Sequence, residues 1–236
     1  MTTAYATLIT GLAGRIQDQA NKLGRPDRDL AILRARDIFS DGTPRVLYKD
    51  YTGDGTAYAF DLPNDTGKVW EDGFSAVVSL ECPAGEREPA FLEDNAWSVR
   101  QWTATTQKLV LKGQTPGQGQ TLRLGYTVRH TVDTTAVTIP DPYVEAFLDL
   151  AGAIACELLA AIYTQTGDST INADVVNYRS KAQEYRDLAK GYQDRYDDWM
   201  NSDGPTTPEV SRSPYVDWDS KAQAGIDYLY HNRRGR

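Results

Sequence analysis

The residues able to do chemistry are few and scattered. His130 and His231 are the only histidines of the 236-residue chain, and Cys82 and Cys156 its only cysteines. Neither histidine has a cysteine or a second histidine at ligand spacing, so zinc is not expected. No Gly-x-Ser-x-Gly elbow presents a serine to either histidine, and no Gly-x-x-x-x-Gly-Lys-Ser/Thr loop cradles a phosphate. Gly117-Gln118-Gly119 stops short of a dinucleotide fingerprint, because Leu122 stands where the third glycine belongs. Asp50-Tyr51-Thr52-Gly53-Asp54-Gly55, with Asp61 at the twelfth position, has the outline of a calcium loop. Thr52 replaces the acid at the third position and no helices flank it, so it reads as a hairpin turn. Glu71 with Asp72, and Glu86 with Glu88, are acids in turn-rich sequence. General acid–base work needs surroundings that separate two carboxyl pKa values, and none is evident for them. Asn64-Asp65-Thr66 fits the glycosylation pattern, but Met1 to Tyr5 lacks the basic start and apolar run of a secretory signal. No catalytic residue, metal or cofactor is expected.

The elements that carry these residues are better defined. Leu8, Ile9, Leu12, Ile16 and Leu23 fall near helical spacing, with Gly24 as the stop. Pro26 and Asp27 start a second helix through Leu30, Ile32, Leu33, Ile38 and Phe39, ended by Asp41-Gly42-Thr43-Pro44. From 45 to 132, short runs rich in Val, Tyr, Thr, Trp and Phe alternate with Gly, Pro, Asp and Asn. The strands expected there are Val46–Tyr51, Ala57–Leu62, Ser75–Cys82, Trp97–Trp102, Gln107–Leu111 and Thr121–Thr131. Asp141 then reads as an N-cap with Pro142 at the first helical position. Val144, Phe147, Leu148, Ala151, Ile154, Ala155, Leu158, Leu159 and Ile162 follow on a wide apolar face, closed by Gly167.

A further helix carries a narrow seam: Val175, Tyr178, Ala182, Tyr185, Ala189, Tyr192, Tyr196 and Trp199 alternate steps of three and four. Such a seam packs along one partner helix, and the short connection makes an antiparallel hairpin with the preceding helix. Tyrosine hydroxyls need a partner or water, which places the seam near a boundary rather than in a deep core. Asn201 to Pro214, with Pro205, Pro208 and Pro214, reads as an extended linker. The four aromatics beyond it, Tyr215, Trp218, Tyr228 and Tyr230, mark a segment that docks on something. The chain is therefore α+β. A helical core, made of an N-terminal helical pair (1–44) and a long antiparallel helical hairpin (133–200), carries an inserted small antiparallel β-sandwich or barrel (45–132). An extended C-terminal arm (201–236) follows.

Composition narrows the function. With 40% hydrophobic and 25% charged residues the chain is an ordinary globular one. No stretch approaches the roughly 20 apolar residues of a membrane span. Two cysteines make no disulfide framework; Cys156 reads as a buried thiol, and a reducing cytoplasm is the expected place of synthesis. The net charge of −8 is concentrated in residues 133–200, where twelve acids face five basic residues. An acidic chain without a basic stripe is a poor nucleic-acid binder, since phosphate neutralisation supplies most of that affinity.

The order of helical pair, β insertion, helical hairpin and aromatic arm resembles the head–tail connector, or adaptor, proteins of tailed bacteriophages. The likeness runs over about residues 26–200. It is carried by Tyr51-Thr52-Gly53-Asp54-Gly55-Thr56-Ala57-Tyr58-Ala59-Phe60-Asp61-Leu62-Pro63, by Gly73-Phe74-Ser75-Ala76-Val77-Val78-Ser79-Leu80-Glu81, and by the helical hairpin from Pro140 through Tyr192. The simplest adaptors are mostly helical, and this chain gives over a third of its length to strands.

The resemblance implies a virion structural protein without catalysis, localised at the virion neck. It implies a dodecameric ring of copies of itself, bound to the portal protein, serving as platform for tail or tail-completion proteins. DNA would pass through without sequence-specific binding. In that frame Tyr215, Trp218, Tyr228 and Tyr230 anchor the arm, and Arg233, Arg234 and Arg236 pair with acids on the partner. Glu157, Asp174, Glu184, Asp187 and Asp194 are expected to line the channel, where negative walls keep DNA from sticking. The rival readings are another neck, tail-tube or tail-completion subunit, and a virion-associated hydrolase using carboxylates.

Overall fold

The computed structural model describes residues 3–18, 20–66, 68–165 and 181–201. The chain is mixed helix and sheet: four α-helices and small antiparallel sheets, with no closed barrel among the described residues. Helices α1 (Tyr5–Ile16) and α2 (Arg25–Gly42) come first. Helix α1 stops well before Gly24, because Gln17 turns left-handed (φ 46°) and the Asp18 carboxylate accepts the Leu23 N–H at 2.7 Å. Helices α3 (Val144–Gln165) and α4 (Lys181–Asn201) close the helical part. The Tyr143 ring lies 4.9 Å from Trp199 and Tyr163 stacks 5.5 Å from Tyr185. Start meets end at both tips, so α3 and α4 run antiparallel. The expected first third of the last helix, and the stop at Gly167, lie outside the described residues.

Helix α3 is the axis of the helical core. Within Asp141–Thr164 an 18-residue window reaches a mean hydropathy of 1.8, long and apolar enough by composition to cross a membrane, contrary to the expectation from sequence. Within the fold much of that apolar surface is covered: α1, α2 and α4 all pack on α3, and Phe147, Ala151, Ala155, Cys156 and Leu159 are fully buried. Asp141 is not the N-cap. Residues Asp141–Tyr143 form a 3-10 turn capped by Pro140, and the Asp141 carboxylate instead accepts the Thr3 hydroxyl at 3.1 Å.

Between α2 and α3 lie eight strands: β1 (Arg45–Thr52), β2 (Ala59–Asp61), β3 (Asn64–Asp65), β4 (Lys68–Val69), β5 (Val77–Glu81), β6 (Trp97–Gln101), β7 (Gln107–Leu111) and β8 (Thr121–Val128). One sheet has the order β1-β8-β5, a second β2-β7-β6, and β3 pairs with β4 alone. Side chains of both larger sheets, among them Phe60, Leu80, Leu109, Leu122 and Tyr126, share one apolar cluster. Helical residues are absent from it, so the described residues form two cores.

The turn after β1 is not a hairpin. Strand β1 pairs with β8 and β2 with β7, so Gly53 to Tyr58 carries the chain from one sheet to the other. The Asp54 carboxylate accepts the Thr56 and Ala57 N–H groups, and Gly55 takes φ 84°. Gly53 has no room for a side chain, since a Cβ there would lie 2.5 Å from Gly117 O. Strand β8 ends at Val128 rather than Thr131, and the chain then forms a Val132–Val137 bridge whose apolar residues join the helical core.

Phe39 sits where the two parts meet, fully buried, with the rings of His130, Phe147 and Tyr143 at 5.4, 5.9 and 6.0 Å. Removing it leaves a cavity that four elements cannot fill together. Phe39→Ala should lower unfolding stability by about 3–5 kcal/mol, read from guanidinium titration of the full chain.

Candidate assembly surfaces

Of the groups able to react, Cys156 and His130 are buried, and His231 lies outside the described residues. Cys156 is buried in α3, and burial pushes its thiol up to about 12, far from a nucleophilic thiolate. Burial also raises Cys82. Among the described residues no group of three or more His, Cys, Asp or Glu side chains is placed to hold a metal ion. The backbone N–H groups of Ala57 and Thr56 hold Asp54 below the usual carboxylate range, so the residue once compared with a calcium ligand is a loop cap. His130 is buried between the two cores. Its backbone N–H donates to Ser40 Oγ at 3.0 Å, its Nε2 lies 2.9 Å from Thr43 O, and its Nδ1 lies 3.0 Å from Thr138 O. It ties the end of β8 to the end of α2.

The tyrosine seam is occupied within the chain. Ala182, Ala189, Tyr192 and Tyr196 are buried, and Tyr185 and Trp199 pack on the same cluster. The seam lies deeper than its tyrosines led us to expect. The Tyr192 hydroxyl donates to Arg15 O at 2.9 Å, and Gly152 of α3 leaves room beside the Tyr192 ring. Val175 and Tyr178 lie outside the described residues.

The opposite face of α4 carries acids. Glu184, Asp187, Asp194 and Asp198 are exposed, and with Gly191 they step by three and four residues along one stripe. Glu157 is exposed on α3; Asp174 lies outside the described residues, as do Tyr215, Trp218, Tyr228, Tyr230, Arg233, Arg234 and Arg236.

Other exposed residues were not singled out from sequence. On the outer face of β1-β8-β5, Tyr48 is 58% exposed, Val78 55% and the nearby Phe91 63%. Gly125 opposes Tyr48 across the ladder, and a Cβ there would press on the Tyr48 ring at 3.1 Å and on Ser79 Oγ at 2.5 Å. Arg123 bonds Asp50 through two nitrogens at 2.8 and 2.9 Å, which keeps the Asp50 carboxyl low. The second sheet presents Tyr58 and Trp102, rings 6.5 Å apart, with Lys108 over the indole. The readable signal was in β1. Val46 and Tyr48 alternate with Leu47 and Tyr51, so both faces of the strand are apolar although only one can face its own core.

Compared with models of known protein families and with curated protein sequences, the chain matches none.

The His130 junction generates a pH dependence. Burial lowers the ring pKa below its ordinary 6.5, with the bonds to Thr43 and Thr138 opposing. A depressed folded pKa means that the unfolded chain binds the proton more readily. The contribution is therefore intact above about pH 6.5 and is lost as pH falls through the folded value. Between pH 7.5 and 5 the wild-type denaturation midpoint should fall further than that of His130→Gln; equal falls would contradict this account.

Proposed function

We propose that this chain is a non-enzymatic structural subunit of a tailed-phage neck, assembled as a ring beneath the portal around the DNA channel. The observation that carries the reading is the acidic stripe of α4. Glu184, Asp187, Asp194 and Asp198 lie on one side of a helix whose other side is fixed on α3 by Tyr192, Tyr196 and Trp199. A rigid rod with one negative face suits the wall of a conduit through which DNA moves without adhering. The apolar residues exposed on both larger sheets suit contacts between neighbours, because large exposed apolar groups that cluster mark interaction surfaces. In the finer architecture, the two sheets act as a small sandwich inserted in a helical core, and residues 202–236 act as an arm reaching the portal or a neighbouring subunit.

Imaging the purified chain alone and mixed with the portal protein of the phage that encodes it tests the reading. A dodecameric ring seated on the portal is expected. A hexameric ring would favour a tail-tube or tail-completion subunit, and a monomer that never enters particles would end the proposal. The triple variant Glu184→Lys, Asp187→Lys, Asp194→Lys should assemble normally yet lower infectious titre per particle, with DNA retained in the neck. Unchanged titre would remove the channel-wall role.

A further inference from the structure

Strand β1 has an open edge. All eight of its residues pair with β8, from Arg45 opposite Val128 to Thr52 opposite Thr121. Among the described residues, no backbone hydrogen bond reaches β1 from its other side. The opposite edge of the same sheet is treated differently. Beside β5, Leu92 N donates to Leu80 O and Cys82 N to Ala90 O, so the segment through Phe91 covers it. An antiparallel strand directs alternate residues' N–H and C=O groups away from its partner. Eight residues without cover therefore present a template for another strand.

We propose that residues 214–219 of the same chain add a strand to this edge. Three observations favour that occupant. The first is where the described chain ends. Met200 packs against α2 so closely that a Cβ on Gly42 would lie 2.7 Å from its Cε, and Gly42 stands three residues before β1. The twelve residues 202–213 span up to about 40 Å when extended, more than the roughly 27 Å length of β1.

The second observation is pattern. Strand β1 alternates Val46 and Tyr48 on its exposed face with Arg45, Leu47 and Lys49 on the other. Tyr215-Val216-Asp217-Trp218-Asp219 alternates in the same period. A register that sets Val216 and Trp218 beside Val46 and Tyr48 also sets Asp217 and Asp219 on the side of Arg45 and Lys49. The third is charge. Lys49 is engaged by Asp65, but half-buried Arg45 has no carboxylate within ion-pair distance among the described residues. The added strand supplies one. The interaction gives affinity through main-chain bonds and specificity through alternate side chains. It holds whether or not the chain works in a ring, and it leaves only residues 220–236, with Tyr228, Tyr230 and the terminal arginines, for a partner.

Hydrogen exchange of the full-length protein, followed by mass spectrometry over β1, tests the proposal. The comparison is with the full-length variants Val216→Pro, which removes a backbone donor, and Trp218→Ala, which removes the apolar anchor. Both changes lie outside the described residues, and circular dichroism checks that helix and sheet content is retained. The β1 amides directed away from β8 should be protected in the wild type and exchange about tenfold faster in each variant, at any protein concentration. Equal exchange in all three proteins would overturn the proposal. Protection that grows with protein concentration would overturn it too, in favour of a second copy on the edge.

Discussion

Everything in this molecule is arranged around the burial of α3. A helix that is apolar over most of its circumference cannot rest on a single neighbour, and water would meet whatever was left uncovered. Three helices from both ends of the sequence therefore surround it: α1 and α2 from before the β segment, α4 from after it. That requirement places the strands between two helices of one cluster. The chain must leave the helical core after α2, fold a second core, and return beside the same helix. Val132, Val137 and Ile139 make the return by joining the helical cluster, and His130 fixes the point of re-entry. The Arg15 guanidinium, bonded to Asp149 of α3 at 2.8 Å, adds direction to a contact that apolar packing alone would leave free to slide.

The parts of the fold that were legible in the sequence are those set by local period. The three- and four-residue steps from Val144 to Ile162 define α3, and Gln107–Leu111 is a strand at the limits expected. What was not legible depends on partners distant in sequence. Nothing between Gly53 and Tyr58 tells whether β2 pairs back on β1 or crosses to another sheet. The answer lies with Gly117, Gly119 and Gln120, more than sixty residues on, which grip Gly53. The β3–β4 hairpin is too short for periodicity to register. Asp141 has the composition of an N-cap, but with Pro140 before it and Pro142 after it the first turn tightens to 3-10, and its carboxylate serves Thr3.

The surfaces divide in the same way. That Glu184, Asp187 and Asp194 share a face follows from helical phase, and the structure adds Asp198 to that stripe. The exposed aromatics were invisible for an instructive reason. A tyrosine in a strand is expected to face a core, and β1 offers two faces with equal claims. Only the pairing of Tyr48 with Gly125, a residue with no side chain to shield it, leaves that ring in solvent. The tyrosine seam erred in the other direction. Tyr192 lies deep because its hydroxyl finds the free carbonyl of Arg15 near the end of α1, so the need for a polar partner was met inside the core instead of at its boundary.

The seam also explains how α4 tolerates its acidic stripe. Like charges three and four residues apart weaken an isolated helix by a few tenths of a kcal/mol per pair. Gly191 in the midst of them, with nothing near the position of its missing Cβ, weakens it by about 1 kcal/mol more. Intrinsic propensity therefore does not account for α4. Tertiary packing does, through Tyr192, Tyr196 and Trp199 on one side. The packing of that side offsets what Glu184, Asp187, Asp194 and Asp198 cost, so helix propensity does not dictate the composition of the acidic side.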